Sequence, residues 1–230
     1  MKTLVILTFN EIEALPKIFD RIPLSAADEA IAVDGGSTDG TIDWLRGRGL
    51  RVLVQERRGR GVAFRMAAEA ARGEFIVFFS PDGNEDPADV PRLFAELEKG
   101  CDMVIASRMM AGAFNEEDIH WFRLRKWVNQ AFTLIANVLW NRVNPYVTDT
   151  INGFRGLTKR AFSEMAPEAE GFVIEYQMSI RAMKRGLKIV ELPTREGQRL
   201  GGASTAKSIP TGILFLKQLW REIALGRDFR

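Results

Sequence analysis

Two short segments carry side chains able to handle a phosphorylated ligand. In Phe78–Pro87 (FFSPDGNEDP) an apolar run ends at Asp82 and Asn84, two residues apart. A carboxylate and an amide carbonyl are hard oxygen donors, suited to Mg²⁺ or Mn²⁺ when a substrate diphosphate completes the shell. The same Pro-Asp-Gly also favours an ordinary turn. In Ala32–Thr41 (AVDGGSTDGT), Asp34 closes a second apolar run and glycines follow. Those glycines permit close backbone approach and positive φ. Asp34 there can accept from a sugar hydroxyl or a base N–H, and Ser37, Thr38 and Asp39 are helix-cap types. A plain strand–turn–helix junction reads the same way, since a lone Gly-rich turn is a weak signal.

Arginine forks match phosphate oxygens bidentately, and Arg108, Arg123, Arg125, Lys126 and Arg199 gather in the second half of the chain. Charges on a helix ordinarily form a solvated face, and that reading is kept for Arg123 and Lys126. Arg108 at a strand end and Arg199 in a Gly-rich loop read as phosphate ligands, with Arg125 between the two cases. The 32 basic and 30 acidic residues leave a net charge of +2, which names no nucleic-acid partner. The single cysteine, Cys101, excludes an internal disulfide and reads as a small hydrophobe at a strand entry. The single histidine, His120, excludes a multi-His metal site and reads as an exposed helix-start residue, so any His-assisted nucleophile would have to use it.

The elements that position these residues follow from hydrophobic periodicity. With 46% hydrophobic and 27% charged residues the chain is globular, neither disordered nor collagen-like. Short apolar runs at Leu4–Thr8, Ala30–Asp34, Val52–Gln55, Glu74–Phe79 and Asp102–Ala106 alternate with helical patterns at Glu11–Arg21, Ile42–Arg46, Gly61–Arg72 and Ala88–Lys99. Strands without polar alternation, separated by helices, predict an α/β fold with a mostly parallel sheet covered on both faces. Ligands then bind at the carboxyl ends of the strands, after Thr8, Asp34, Phe79 and Ala106. Further on, Trp121–Arg142 reads as a long helix with the stripe Trp121, Phe122, Val128, Phe132, Ile135 and Leu139. A strand over 153–158, a helix over 173–185, a strand at Leu187–Leu192 and a last helix at Pro210–Leu225 follow.

No apolar run reaches the roughly 18 residues of a membrane span, and the N-terminal segment lacks a signal-peptide pattern. The expectation is a cytoplasmic protein, peripheral on the cytoplasmic face of a membrane. From Arg199 to Arg230 six basic residues stand against two acidic ones, a net +4. The apolar positions of the last helix make it a candidate for an anionic lipid surface. A helix packed on the core is the alternative.

The order TFNE, VDGGSTDGT, RGRGVAFRMA, SPDGNEDP, SRM, INGFRG and QRLGGAS, from Lys2 to about Lys207, resembles glycosyltransferase family 2. Within it the likeness is to dolichyl- and polyprenyl-phosphate mannose or glucose synthases. The resemblance implies a GT-A-type, Rossmann-like single domain over 1–230. Residues 1–107 form its nucleotide-sugar half; 108–230 form an acceptor-side half ending in a basic amphipathic helix. It also implies a nucleotide-sugar donor, a divalent metal (Mg²⁺ or Mn²⁺), inversion at the sugar and a lipid-phosphate acceptor. Thr8, Phe9, Glu11, Asp34, Gly36, Gly61 and Asp82 resemble donor-binding positions, Asp82 and Asn84 the metal ligands. Arg108, Arg125, Arg199 and Ser204 resemble acceptor-phosphate contacts, with Arg199 and Ser204 in a mobile loop; Asp82 and Arg199 are the expected catalytic pair. The chain departs from the family pattern at Leu7 (usually Pro), Gly35 (usually a second acid) and Ser80 (usually the first Asp of Asp-x-Asp), the last weakening the metal site.

A phosphate monoester is largely dianionic at neutral pH, so a lipid phosphate can attack a sugar carbon without a general base. A hydroxyl acceptor needs one, and Asp149 and Glu175 are the candidates. Three readings therefore stand: a hexosyltransferase from a GDP-mannose- or UDP-glucose-type donor to a polyprenyl or dolichyl phosphate, the same fold acting on a saccharide hydroxyl, and a non-catalytic nucleotide-sugar-binding protein.

Overall fold

The computed structural model describes residues 1–119, 123–201 and 208–229. One sheet of seven strands runs in the order β3-β2-β1-β4-β6-β5-β7. These are β1 (Lys2–Thr8), β2 (Glu29–Asp34), β3 (Arg51–Val54), β4 (Phe75–Phe79), β5 (Met103–Ser107), β6 (Arg155–Thr158) and β7 (Ile189–Pro193). All pairings are parallel except those of β6, which lies antiparallel between β4 and β5. The register sets Thr8 beside Asp34, Asp34 beside Val54 and Ile6 beside Phe79, so the loops after β1, β2 and β4 leave one edge at nearly one level.

The central strands are apolar without alternation because both faces are covered. Val5, Leu7, Ile76 and Phe78 face a core built with α3 (Arg60–Ala70), α5 (Leu124–Trp140), α6 (Lys159–Met165), α7 (Ile174–Arg185) and α8 (Ser208–Leu225). Leu4, Ile6, Val77 and Phe79 face a second core with α1 (Leu15–Ile18), α2 (Thr41–Gly47) and α4 (Asp89–Glu98).

The structure corrects three expectations. The helix predicted over Glu11–Arg21 is only the four-residue α1 followed by a 3-10 turn, Phe19–Arg21. The N–H groups of Asn10, Glu11 and Ile12 are taken by Ser37, Thr41 and Asp39, so this stretch is held as loop, and the helix begins only where Pro16 needs no donor. In α5 the buried face is Phe132, Thr133, Ala136, Asn137 and Trp140. Val128, Ile135 and Leu139 of the predicted stripe are exposed instead, because the side chains of Thr133 and Asn137 bond inward to Thr150 and Val147 and set the rotation of the helix. The short α6 was not expected; Thr158 caps it through the Ala161 N–H. Cys101 is buried as expected, and burial pushes its thiol up to about 11. His120, Trp121, Phe122 and Lys207 lie outside the described residues.

The last helix packs on the core, the alternative expected of it, and leaves its other face in solvent. Phe215, Gln218, Leu219 and Glu222 are buried. Fully buried Glu222 accepts from Arg181 Nε (3.0 Å), Gln177 Nε2 (3.2 Å), Gln218 Nε2 (3.1 Å) and Lys184 Nζ (2.7 Å). The opposite face of α8 exposes Ile213, Leu214, Leu216, Trp220 and Ile223, and α5 exposes Leu124, Trp127, Leu134 and Val138. Among the described residues no helix is long and apolar enough to cross a membrane.

Removing one partner of a buried ion pair leaves the others uncompensated, at a cost of about 3–5 kcal/mol. Glu222→Ala is therefore expected to lower unfolding stability by about that amount, read by urea denaturation. A loss below about 1 kcal/mol would show that the network does not hold α8 to α7.

Candidate active site

Two cavities open along the carboxyl edge of the sheet, of about 560 Å³ and about 490 Å³. They share a wall made of Arg60, Ser80, Asp82, Phe172 and Arg199. A group bound in one therefore meets a group bound in the other at these side chains.

The smaller cavity is formed by the loops after β1 and β2 and the start of α3. Thr8, Phe9 and Glu11 line it with Gln55 and Arg58. The Arg58 guanidinium stacks on Phe9, 3.5 Å from the ring centroid, and Gly35 makes room for that ring, since a Cβ there would lie 3.0 Å from it. The acid missing at position 35 is thus replaced by an aromatic platform beside an arginine. Burial, then the nearby Asp82 charge, pushes Glu11 up to about 7 against the opposing pull of Arg199.

Three expected donor residues are placed behind this cavity. Asp34 is fully buried, and its carboxylate accepts from the Gly36 and Ser37 N–H groups and the Thr8 and Ser37 hydroxyls at 2.7–2.9 Å. With its acceptor sites engaged, it pins the two loops together. Gly36 donates to it from a left-handed backbone, φ 86°. Gly61 packs against the 169–170 backbone, where a Cβ would come within 1.8 Å of the Ala169 carbonyl oxygen. These residues shape the site without lining it.

The Pro-Asp-Gly turn and the candidate metal site prove to be one object. Gly83 turns with φ 97°, and Asp82 Oδ1 accepts the Asn84 N–H at 3.0 Å. The 197–200 segment lies on this turn through Gly197 N to Asn84 O (2.9 Å) and Leu200 N to Asp82 O (2.8 Å). Arg199 thereby reaches Asp82 Oδ2 at 2.6 Å, with Glu11 3.8 Å away. The donors fit a hard divalent cation sparsely. Asp82 offers a carboxylate, the Asn84 side chain points its amide N–H at the Gly197 carbonyl, leaving Oδ1 without a described donor, and Ser80 Oγ is buried with no partner. Among the described residues no three acidic, His or Cys side chains surround one point, so a bound ion would depend on donor diphosphate oxygens. Glu85 lines the larger cavity and accepts the Ser80 N–H at 2.6 Å. Burial and the Asp82 charge push it up to about 8.

The larger cavity has a charged part and an apolar lining. Arg108 and Glu196 give it the charged part; of the apolar lining from α5 and α8, Leu124 and Val128 are exposed at the mouth, and Phe132 and Phe215 are buried. Arg108 grips Asp149 through Nε (2.8 Å) and Nη2 (3.2 Å) and Glu196 through Nη1 (3.2 Å). Burial alone would raise Asp149, but Arg108 and the surrounding N–H donors hold it below the usual carboxylate range. Both Asp149 oxygens are thus engaged by Arg108, and Asp149 lines neither cavity. Glu175 does line the larger cavity; its Oε1 takes Arg60 Nε, and its Oε2 is buried with no partner. Arg125, more than half exposed, lines the mouth 3.6 Å from Glu116 and Glu117. Arg123 and Lys126 pair with Asp118 and line neither cavity. Buried Arg155, pushed down to about 10 by burial, donates to the Asn152 and Glu175 carbonyls and so fixes the 150–155 turn, whose residues 151–154 line the larger cavity.

Thus Asp82, Asn84, Arg108, Arg125 and Arg199 converge on the larger cavity and Thr8, Phe9, Glu11, Asp82 and Arg199 on the smaller, while Ser204 lies outside the described residues. The sequence reading took Gly59-Arg60-Gly61 only as a turn near the donor, and missed Glu85, Gln55 and Arg58 as lining residues. Arg58 and Arg60 lay in plain view in the RGRG run; Glu85 and Gln55 carried no local signal.

An α/β sheet of this order, with paired cavities at its carboxyl edge, is a GT-A-type architecture. Its likeness to glucosyl-3-phosphoglycerate synthase of Mycobacterium tuberculosis, solved with Mg²⁺ and UDP, has a TM-score of 0.78. That match is 21% identical and covers 97% of this chain and 79% of that one. Residues 3–165 match the family model Glycosyl transferase family 2, and the chain belongs to that family. It is 31% identical over 220 residues to an undecaprenyl-phosphate mannosyltransferase of Micrococcus luteus, covering 89% of this chain and 87% of that one. It is 28% identical over 220 residues to a polyprenol monophosphomannose synthase of Mycolicibacterium smegmatis, covering 88% and 80%. The protein is accordingly a glycosyltransferase that resembles polyprenyl-phosphate mannose synthases.

Glu11 and Glu85 hold protons more tightly folded than unfolded. Their contribution to stability is present below the ordinary value of 4.5 and is lost as pH rises through about 7 and about 8. The melting temperature of the ligand-free protein should therefore carry a component that falls across that window, and Glu85→Gln should flatten it; an unchanged pH slope in the variant would contradict the assignment. Restoring the missing acid with Ser80→Asp adds a hard ligand beside Asp82, so calorimetric titration of Mn²⁺ in the presence of nucleoside diphosphate should show tighter binding. Equal affinity would mean that position 80 does not face the ion.

Proposed function

We propose that this glycosyltransferase moves a hexose from a nucleotide-sugar of the GDP-mannose or UDP-glucose type to a polyprenyl or dolichyl phosphate. The observation that carries the reading is the larger cavity, which joins an arginine-bearing part to an apolar lining from α5 and α8. A phosphate on an isoprenoid chain has that same polarity. The relatives named as polyprenyl-phosphate mannosyltransferases support the choice of acceptor. In this reading residues 1–107 serve the donor, with Phe9 and Arg58 flanking the base, and residues 108–230 serve the acceptor.

Asp82 and Asn84, with Ser80 Oγ, would hold a Mg²⁺ or Mn²⁺ ion, which supplies charge neutralisation for the leaving diphosphate. Arg199 keeps a guanidinium at the junction of the two cavities, and Arg108 and Arg125 meet the acceptor phosphate. No base is required, because the acceptor phosphate is already ionised. One observation favours the second reading, transfer to a hydroxyl: Glu175 Oε2 has no partner in the cavity and could take a proton.

The membrane is the natural source of such an acceptor. The exposed apolar faces of α5 and α8 belong to helices that line the larger cavity, and Lys217 and Arg221 on α8 stand in solvent. Basic residues near an anionic leaflet contribute about 1 kcal/mol each.

Purified protein offered GDP-mannose and UDP-glucose should glycosylate farnesyl phosphate and leave farnesol unmodified. Product only with a saccharide hydroxyl would overturn the reading in favour of Glu175 as base. Arg199→Lys keeps the charge but loses the fork; turnover should drop at least about tenfold while the melting temperature hardly moves, as for a surface loop. Arg125→Ala should raise the KM for farnesyl phosphate and leave donor affinity unchanged. Vesicles containing phosphatidylglycerol should co-sediment the protein at low salt and less at high salt; absence from the pellet under both conditions would contradict surface docking.

A further inference from the structure

Resting on the lipid-phosphate reading, we infer that Arg60 is a further catalytic residue, a guanidinium that bridges the donor diphosphate and the acceptor phosphate at the moment they meet. Both substrates are anions, and their approach is opposed by like-charge repulsion that grows as water is excluded. A cation between them offsets it. Arg60 stands in the wall common to both cavities.

Its placement is built from three sides. Gly59 N donates to Gln55 Oε1 (2.8 Å) and Gly61 N to the Glu170 carbonyl (2.8 Å), which fixes the backbone on either side. Nε donates to Glu175 Oε1, and the Glu175 side chain is 3% exposed. Position 153 is a glycine whose Cβ would lie 1.8 Å from Arg60 Nη2, so any side chain there would displace the guanidinium. Arg60 differs from Arg108 and Arg199 in keeping both of its Nη groups open. Arg108 spends Nε, Nη1 and Nη2 on Asp149 and Glu196, and Arg199 spends Nη2 on Asp82. The Nη groups of Arg60 donate to no described residue, and its side chain stays 23% exposed. In the transfer the acceptor phosphate oxygen bonds to the sugar carbon as the bond to the donor phosphate breaks. The nucleoside diphosphate leaves with the electron pair and no proton moves, so the guanidinium acts purely as a fixed charge.

The bridge is read as thermodynamic coupling between two ligands. Farnesyl phosphate is titrated into Mg²⁺-containing protein by calorimetry, alone and with saturating GDP, and in parallel with UDP. In Arg60→Gln each ligand alone should bind within about fivefold of wild type, while farnesyl phosphate should bind at least about tenfold more weakly once the nucleotide is present, a penalty absent from wild type. Arg60→Lys, which keeps the charge and the pairing with Glu175, should show a smaller penalty. Should Arg60→Gln not fold, the Arg60→Gln/Glu175→Gln double variant removes both charges together and carries the same expectation. Lower melting temperature with wild-type coupling would overturn the bridge and leave Arg60 as a structural partner of Glu175. Wild-type protein that binds either nucleotide but no farnesyl phosphate would instead overturn the acceptor reading, and the bridge with it.

Discussion

Arginines line both cavities, yet a cluster of unpaired guanidinium groups in a half-buried cavity would repel itself and weaken the empty protein. The chain meets this constraint by giving most of its site arginines a carboxylate. Arg108 is held by Asp149 and Glu196, Arg199 by Asp82, and Arg60 by Glu175. The balance allows these side chains to be positioned before substrate arrives, and it leaves Glu11 and Glu85 as the carboxyls raised by burial and by Asp82. Arg125, at the exposed mouth, lies 3.6 Å from its carboxylates, where solvent already screens it.

The same balance shapes the backbone around the site. Gly83, Gly153 and Gly197 occur where a side chain would strike Leu200, the Arg60 guanidinium and the Gly83 carbonyl respectively. Close approach of the turn after β4, the 197–200 segment and the start of α3, which packs over Gly153, brings Asp82, Arg199 and Arg60 to a common wall. The edge of the parallel sheet supplies the level on which they meet, because the strand register ends β1, β2 and β4 side by side.

Away from the sheet, α8 serves two environments. Its buried face is locked to α7 by Glu222, so the helix is part of the fold. Its other face, like that of α5, leaves large apolar side chains in solvent. Residues of both helices also line the larger cavity.

By itself the sequence determined the α/β class, the parallel strands and the edge that carries the site, because unbroken apolar runs separated by helical patterns have few other solutions. Its motif order determined the family; Asp82, Asn84, Arg108 and Arg199 were picked out by residue type at strand ends and loops and Arg125 by the family resemblance, and all five line the larger cavity. Only the tertiary structure decided what each charge faces. Asp34, conspicuous at the end of β2, turned out to be spent on the Thr8 and Ser37 loops. Asp149 was neutralised by an arginine 41 residues away, and the apolar stripe of α5 was turned outward by Thr133 and Asn137. Arg60 is the clearest case: its position depends on Glu175, 115 residues further along the chain, and on the space left by Gly153. Periodicity reports which face of an element is apolar, but pairing between distant side chains is set by long-range packing that no local pattern encodes.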